Sequence, residues 1–388
     1  MDENIVEKGL MIGANIVETN AKRYPKKRYL YGEVERSLED RHSINILMGL
    51  RGAGKSVLLS QALAGKKYAY LQMDYAPLKS QNLYDMLQHL YKVKGMETIV
   101  LDEFQDCMDF SSLKAFHEET KGEVAILVSG SSAVALYPVE LTRRVSKLIL
   151  QPLSFREYLF FKKDILLSLL TLDEIIEGKG KDLIVYSSSI KEYMSESLPY
   201  LLEKEANILE LLDKIIRHDL VVFRKINYEN VAEVEKVVLS LALSKGETSF
   251  TSLSNKTGVE KTQIMRYISL LAEALLIKEV LPHGTSGHAV LKERKIYLTP
   301  PFRHGICKEL RAEPDIGTLR EEFFIQHTFG LSPKYLYGKG MPDFAIGKMT
   351  FEVGGPSKNW KQVPDYLVVD EKVPGKGELP LVAFGFLY

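Results

Sequence analysis

From about position 43 the chain alternates short apolar runs with segments of helical spacing. INILMGL, KYAYLQMDY, ETIVLDE, EVAILVSG and SKLILQPL read as five buried strands. Between them, positions 56–64, 78–91, 112–119 and 133–141 carry helix spacing. Strand–helix alternation predicts a mainly parallel, doubly wound α/β sheet with helices on both faces. Ligands of such sheets bind beyond the carboxyl ends of the strands.

The pattern changes after the fifth run. Positions 166–225 are helical, and LLEKEANILELLDKIIRHDL is the clearest amphipathic stretch. One further helix ends near Lys245, and SFTSLSNKTG reads as a short helix and turn. EKTQIMRYISLLAEALL then places Ile264, Ile268, Leu271 and Leu275 on one helical face. LIKEVL and ERKIYLT can pair across PHGTSGHAV, the element order of a winged helix-turn-helix. Mixed α/β patterning closes the chain.

At 388 residues the chain exceeds one hydrophobic core. Four segments are expected: 1–165, a nucleotide-binding domain with an N-terminal extension; 166–228, a helical lid or linker; 229–298, the winged helix; and 299–388, a small α/β domain. Apolar content of 45% and charged content of 26% are those of a globular protein. A formal net charge of zero argues against a chain-wide polyanion binder. Cys107 and Cys307 show neither metal spacing nor a disulfide framework, which fits a reducing compartment. The N-terminus is acidic where a signal peptide needs a basic start. No run reaches membrane-spanning length, and FREYLFFKKDILLSLL, broken by charge, reads as amphipathic helix. The expected location is the cytoplasm, away from membranes.

The chemistry concentrates at GLRGAGKSVLL, directly after the first strand. Gly49, Gly54, Lys55 and Ser56 satisfy G-x-x-x-x-G-K-[ST], with Gly52 added inside the loop. Glycines let backbone N–H groups turn inward around phosphate oxygens, and the following helix aims its N-terminus at the charge. The predicted ATP-binding residues are Gly49, Arg51, Gly52, Ala53, Gly54, Lys55, Ser56 and Val57. Lys55 is expected to reach the β- and γ-phosphates, and Ser56 to ligand Mg²⁺. A full match between a strand and a helix makes a chance glycine loop a poor explanation.

TIVLDEFQD supplies the partner element. Asp102 is expected on the Mg²⁺ side and Glu103 as the group that orients or polarises the attacking water. Having both acids points to hydrolysis to ADP rather than binding alone. The next strand ends in VSGSSA, where Ser131, with Ser129 and Ser132 close behind, is the candidate sensor of the γ-phosphate; capping of the next helix is the plainer alternative. Arg143 and Arg144 precede the fifth strand and read either as a solvated helix end or as a finger for a neighbour's γ-phosphate.

These blocks resemble a widespread prokaryotic AAA-type ATPase family whose ATPase core is followed by a C-terminal region of unknown function. The likeness runs from KKRYLYGEVERSLEDRHSINILMGLRGAGKSVLLSQAL through VLDEFQ, LVSGSSA and RVSKLILQPLSFREYL. It resumes at LLDKIIRHDLV and covers most of the chain from about position 27. PLSFREYL after an arginine is its most specific block. The resemblance places Arg144 on the family arginine, with Arg143 in place of a glycine, and so implies a nucleotide or partner contact for Arg144. It also implies that the winged-helix segment leads into a degenerate nuclease-like tail.

That tail resembles the PD-(D/E)xK core, in which carboxylates on two strands hold a divalent metal and a lysine assists the water. Asp343 and Glu352 fit the carboxylates and Glu321 the helix acid, but Gly354 occupies the lysine position. Lys358 lies four residues beyond it. An inactive nuclease-like fold is therefore expected, and Trp360 reads as a core or edge aromatic. On the winged helix, Lys261, Thr262, Gln263 and Arg266 are the outward positions that would meet double-stranded DNA. Two cations make a thin footprint, and a protein partner is the competing expectation. The basic run KRYPKKRYLY reads as a solvated entry to the first domain, with phosphate contact as the alternative. The leading expectation is a Mg²⁺-dependent ATPase that switches its C-terminal half, with assembly into oligomers if an arginine acts in trans. An ATP-regulated DNA-binding transcriptional regulator comes second, and a metal-dependent nuclease third.

Overall fold

The computed structural model describes residues 1–131, 145–221, 226–246, 248–284, 292–338, 340–354, 364–370 and 373–388. They form two compact units, Met1–Pro152 and Leu153–Tyr388. No helix among the described residues is long and apolar enough to cross a membrane.

The first unit is built on five parallel strands: β1 (Ile44–Gly49), β2 (Ala69–Gln72), β3 (Thr98–Asp102), β4 (Ala125–Gly130) and β5 (Val145–Leu150). They lie in the order β2-β3-β4-β1-β5. β1 and β4 are buried along their whole length because helices cover both faces of a parallel sheet. β5, at the edge, alternates toward solvent. β4 thus separates the glycine-loop strand from the strand that ends in Asp102.

A 21-residue helix, Glu3–Arg23, precedes the sheet and was not evident from apolar spacing. Its buried stripe is Val6, Gly9, Gly13 and Val17, half of it glycine, so the hydrophobic signal is weak. Glycine is required at 13 by close approach, since a Cβ there would lie 2.1 Å from the carbonyl oxygen of Tyr70 on β2. The helix expected over 78–91 is interrupted. Asn82 accepts a bond from the Asp85 N–H and starts a new helix at Leu83–Gln88, which runs on as a π-helical turn, His89–Val93. The helix expected over 133–141 lies outside the described residues.

The second unit holds one seven-stranded mixed sheet: β6 (Ile277–Pro282), β7 (Lys295–Leu298), β8 (Lys334–Tyr335), β9 (Phe344–Ile346), β10 (Met349–Gly354), β11 (Tyr366–Val369) and β12 (Glu378–Pro380), ordered β12-β11-β10-β9-β8-β6-β7. Helices Val231–Leu243, Phe250–Thr257 and Lys261–Glu273 precede the antiparallel β6–β7 ribbon. An aromatic core that includes Phe155, Tyr158, Tyr193, Phe323, Phe324, Phe344 and Phe351 lies beneath the sheet. Arg303 bolts the surrounding helices together. It donates to the Glu322 carboxylate at 2.7 and 2.9 Å and to the carbonyls of Leu241 and Ala242 at 2.8 and 2.6 Å.

The compact units part at 152, short of the expected division at 165, and one strand pairing crosses the expected division at 298. Helix Phe155–Lys163 belongs to the second unit because Phe155, Tyr158 and Leu159 are buried in its aromatic core. The ribbon is no separate module edge, since β6 pairs in parallel with β8 and merges into the C-terminal sheet. The amphipathic helix expected through FREYLFFKKDILLSLL stops at Lys163, where Asp164 turns left-handed at φ 56°. Beyond it, Leu170 donates its N–H to the Phe386 carbonyl, and Ile165, Leu167 and Leu170 pack on the core without helix. Helix in the 201–220 run begins only at Ile208, capped by Asn207.

Candidate nucleotide site

The glycine loop sits at the carboxyl end of β1. Gly49 ends the strand, Arg51, Gly52, Ala53 and Gly54 form the loop, and Lys55, Ser56 and Val57 open the helix Lys55–Leu63. Gly54 caps that helix at φ 92°, a left-handed backbone that favours glycine. At Gly49 a Cβ would stand 2.8 Å from the Leu150 carbonyl oxygen on β5, so that strand contact also requires glycine. The Lys55 ammonium is buried and donates to the carbonyls of Gly49 at 2.9 Å and Leu50 at 3.4 Å.

Arg28, from the basic run, is only 5% exposed. It donates to the Ala53 carbonyl at 2.6 Å in the loop and to the Gln151 and Pro152 carbonyls at 2.9 and 3.3 Å. The run was expected to be a solvated entry. At Arg28 it is instead a buried clamp that ties the loop to the chain beyond β5.

Asp102 ends β3 and is fully buried. One carboxylate oxygen accepts from the Tyr70 hydroxyl at 2.5 Å. The other accepts from the Ser129 hydroxyl and from the Glu103 N–H at 3.1 Å. Burial first, and then the Asp102 charge, raise the Tyr70 phenol well above its ordinary value, so it stays a donor. Ser56 acts on the same phenol in the opposite, lowering sense, which sets the loop serine near Tyr70 and the acidic strand. A hydroxyl and a carboxylate held this way are a donor set that fits Mg²⁺.

Glu103 follows in a left-handed conformation at φ 53°, a strained geometry for a residue with a side chain. Burial raises its carboxyl above the ordinary carboxylate range, opposed by Lys55 and Arg51 and reinforced by Asp102. Both cations therefore act on Glu103, which brings the loop and the acid pair into one site. Gln105 donates to the Glu103 carboxylate and, at 3.4 Å, to the Ser131 hydroxyl. Ser129 and Ser131, at the end of β4, thus reach the acids by different routes.

Among the expected site residues, the structure brings together the loop, Asp102, Glu103, Ser129 and Ser131. Ser132, Arg143 and Arg144 lie outside the described residues. Tyr70, Arg28 and Gln105 were missed. Gln105 sits inside the quoted TIVLDEFQD block, so its polar side chain beside two acids was the available signal.

Among its described residues the second unit shows no comparable constellation. Asp343 accepts from the Val353 N–H at 2.9 Å, and Glu352 accepts from the Asp343 N–H at 3.1 Å. Gly354 ends β10. Glu321 accepts from the Tyr297 hydroxyl at 2.8 Å, and it is Glu322, not Glu321, that is buried, against Arg303. Among the described residues no group of acids, histidines or cysteines is placed to hold a metal. Lys358 and Trp360 lie outside the described residues. Lys261 is ion-paired with Glu293 and donates to the Thr251 hydroxyl at 3.0 Å.

Residues 41–159 match the AAA_14 family model, an AAA domain. An uncharacterized protein of Methanocaldococcus jannaschii, MJ1637, is 28% identical over 390 residues, covering 87% of this chain and 82% of that protein. Among solved structures, the Walker-type ATPase PABY2304 of Pyrococcus abyssi overlaps 71% of this chain and 95% of its own, at TM-score 0.44 and 13% identity. AMPPCP-bound DnaA from Aquifex aeolicus overlaps 63% and 86%, at TM-score 0.25 and 16% identity. Structural likenesses this distant carry no argument about function. The family match and the site geometry fall on the same stretch: residues 41–159, which hold the glycine loop and the acid pair, carry an AAA domain.

Proposed function

We propose that the chain is a Mg²⁺-dependent ATPase whose nucleotide state switches its second unit in the cytoplasm. The observation that carries this reading is the convergence of Lys55, Ser56, Asp102 and Glu103 at the carboxyl end of one parallel sheet, with Tyr70 donating to Asp102. The loop N–H groups of residues 49–57 cradle the phosphates, and Lys55 leaves its loop carbonyls to meet the β- and γ-phosphates. Ser56 and Asp102 hold the metal, directly or through water. A Mg²⁺ held by them would supply positive charge against that of the phosphates. Glu103 takes the proton of the attacking water, a role that its raised pKa and its nearness to Lys55 support. Ser131 senses the γ-phosphate, and Arg144 contacts nucleotide within the chain or in a neighbouring subunit.

The second unit is the switched partner-binding part. Its three helices and ribbon are consistent with a winged helix, and its last strands with an inactive PD-(D/E)xK-like fold. The Lys261–Glu293 pair removes one of two expected phosphate-facing cations, so a protein partner is favoured over DNA. Steady-state Mg-ATP hydrolysis with and without double-stranded DNA tests this. Turnover indifferent to DNA is expected. Strong, salt-sensitive stimulation by DNA would replace the protein partner with a nucleic acid.

A further inference from the structure

Gln105 is 1% exposed and lies in the short 3-10 turn Phe104–Asp106 directly after β3. Its amide nitrogen donates to the Glu103 carboxylate and to the Ser131 hydroxyl. Its carbonyl oxygen Oε1 is buried with no donor among the described residues. Turning the amide over does not remove the anomaly, because Oε1 would then face the Glu103 carboxylate, acceptor against acceptor. Leaving a buried amide oxygen without a donor is costly. Such an orphan beside the proposed catalytic carboxylate and the end of β4 is an acceptor site for a small donor.

We infer that Gln105 is a catalytic, water-positioning residue: its amide nitrogen pins Glu103 and ties it to Ser131, while Oε1 accepts a hydrogen bond from the attacking water. This rests on the ATPase reading given above. In the step, one water hydrogen points to Oε1 and the other to Glu103. The water oxygen bonds to the γ-phosphorus, the bond from that phosphorus to the β–γ bridging oxygen breaks, and Glu103 takes the proton. ADP departs with the bonding electron pair, and inorganic phosphate forms. Gln105 neither gains nor loses a proton. It fixes the direction of the water's lone pair and makes the Glu103 position depend on the end of β4.

The test uses the full-length chain and Mg-ATP. Turnover, KM and the affinity of a fluorescent ATP analogue are measured for wild type, Gln105→Leu, Gln105→Glu, Glu103→Gln and the double variant Glu103→Gln/Gln105→Leu. Loss of a positioned water is expected to lower kcat by about 10-fold or more in Gln105→Leu, with KM and analogue affinity within about twofold of wild type. Gln105→Glu, which keeps an acceptor but loses both donors, is expected to lose kcat as well and guards against misfolding of the leucine variant. The double variant is expected to turn over no slower than Glu103→Gln by more than about threefold, because both residues act on one water. Wild-type kcat in both Gln105 variants, or losses in kcat and affinity together, or multiplied losses in the double variant, overturns the proposal. If wild type and Gln105→Leu hydrolyse alike while Glu103→Gln does not, Gln105 alone is refuted. If wild type does not hydrolyse ATP, the underlying reading falls with it.

Discussion

Each unit holds a close pair of carboxylates, consecutive residues at the end of β3 in the first and facing residues at β9 and β10 in the second, and the two pairs sit in different surroundings. In the first unit Asp102 is fixed by two hydroxyls, Glu103 is strained and raised in pKa, and Lys55 and Arg51 act on it. In the second, Asp343 and Glu352 accept backbone N–H groups across β9 and β10, and a glycine stands where a lysine is needed. The difference lies in the company the acids keep. Carboxylates whose partners are backbone donors brace a strand pair. Carboxylates that share buried space with a lysine, a serine and a phenol can hold a metal and move a proton.

The comparison breaks most visibly at Lys55. Lys55→Ala is expected to lower ATP turnover by at least about 100-fold, as loss of a charge aimed at the transferring phosphoryl group does. Steady-state hydrolysis checks it, and unchanged turnover removes the loop from the chemistry. A smaller effect is expected at Tyr70, whose hydroxyl donates to the Asp102 carboxylate at 2.5 Å. Tyr70→Phe should weaken the Mg²⁺ dependence of hydrolysis by about 10- to 100-fold, the usual cost of losing a partner of a metal ligand. A Mg²⁺ titration of turnover reads this directly.

The stability of the second unit should answer to acid. His327 is buried. Its Nε2 accepts from the Phe155 N–H at 3.1 Å, which leaves Nδ1 to donate to the Phe323 carbonyl at 2.8 Å. Burial pushes its pKa from 6.5 down to about 3. Between those values the unfolded chain binds the proton and the folded chain does not, so stability falls as pH drops below about 6.5. Each pH unit costs at most about 1.4 kcal/mol for this one group. His304, pushed down to about 4 by burial, adds to the same trend. Melting temperatures at pH 7 and pH 5 should differ less in His327→Gln than in wild type. The smallest effect is expected at Asp343: Asp343→Asn should leave ATP turnover unchanged, and wild type should cleave no DNA with Mg²⁺ or Mn²⁺. Metal-dependent cleavage that is lost in this variant would reverse the contrast between the two acid pairs.

What was legible follows from how local each signal is. The loop is one contiguous eight-residue pattern between a strand and a helix, and the acid pair closes a run of apolar residues, so both could be placed without knowing the sheet order. Tyr70 matters only because β2 flanks β3, and nothing in its own surroundings announces it; the VSGSSA strand end points to Ser129, but its bond to Asp102 depends on β4 flanking β3. Arg28 looked like one charge in a solvated run, and only the folded loop shows the carbonyls that it ties together. The N-terminal helix escaped notice because close packing demands glycines on its buried face. The expected boundary at 298 is crossed by the pairing of β6 with β8 more than fifty residues downstream, a long-range contact that periodicity does not encode.

The central claim is that Glu103 carries hydrolysis while the loop carries binding. Glu103→Gln keeps the shape of the side chain and removes the base. Measured side by side, ATP affinity should stay within about threefold of wild type, while turnover falls by about 100-fold or more. Undiminished turnover in a variant that still binds ATP would contradict the account.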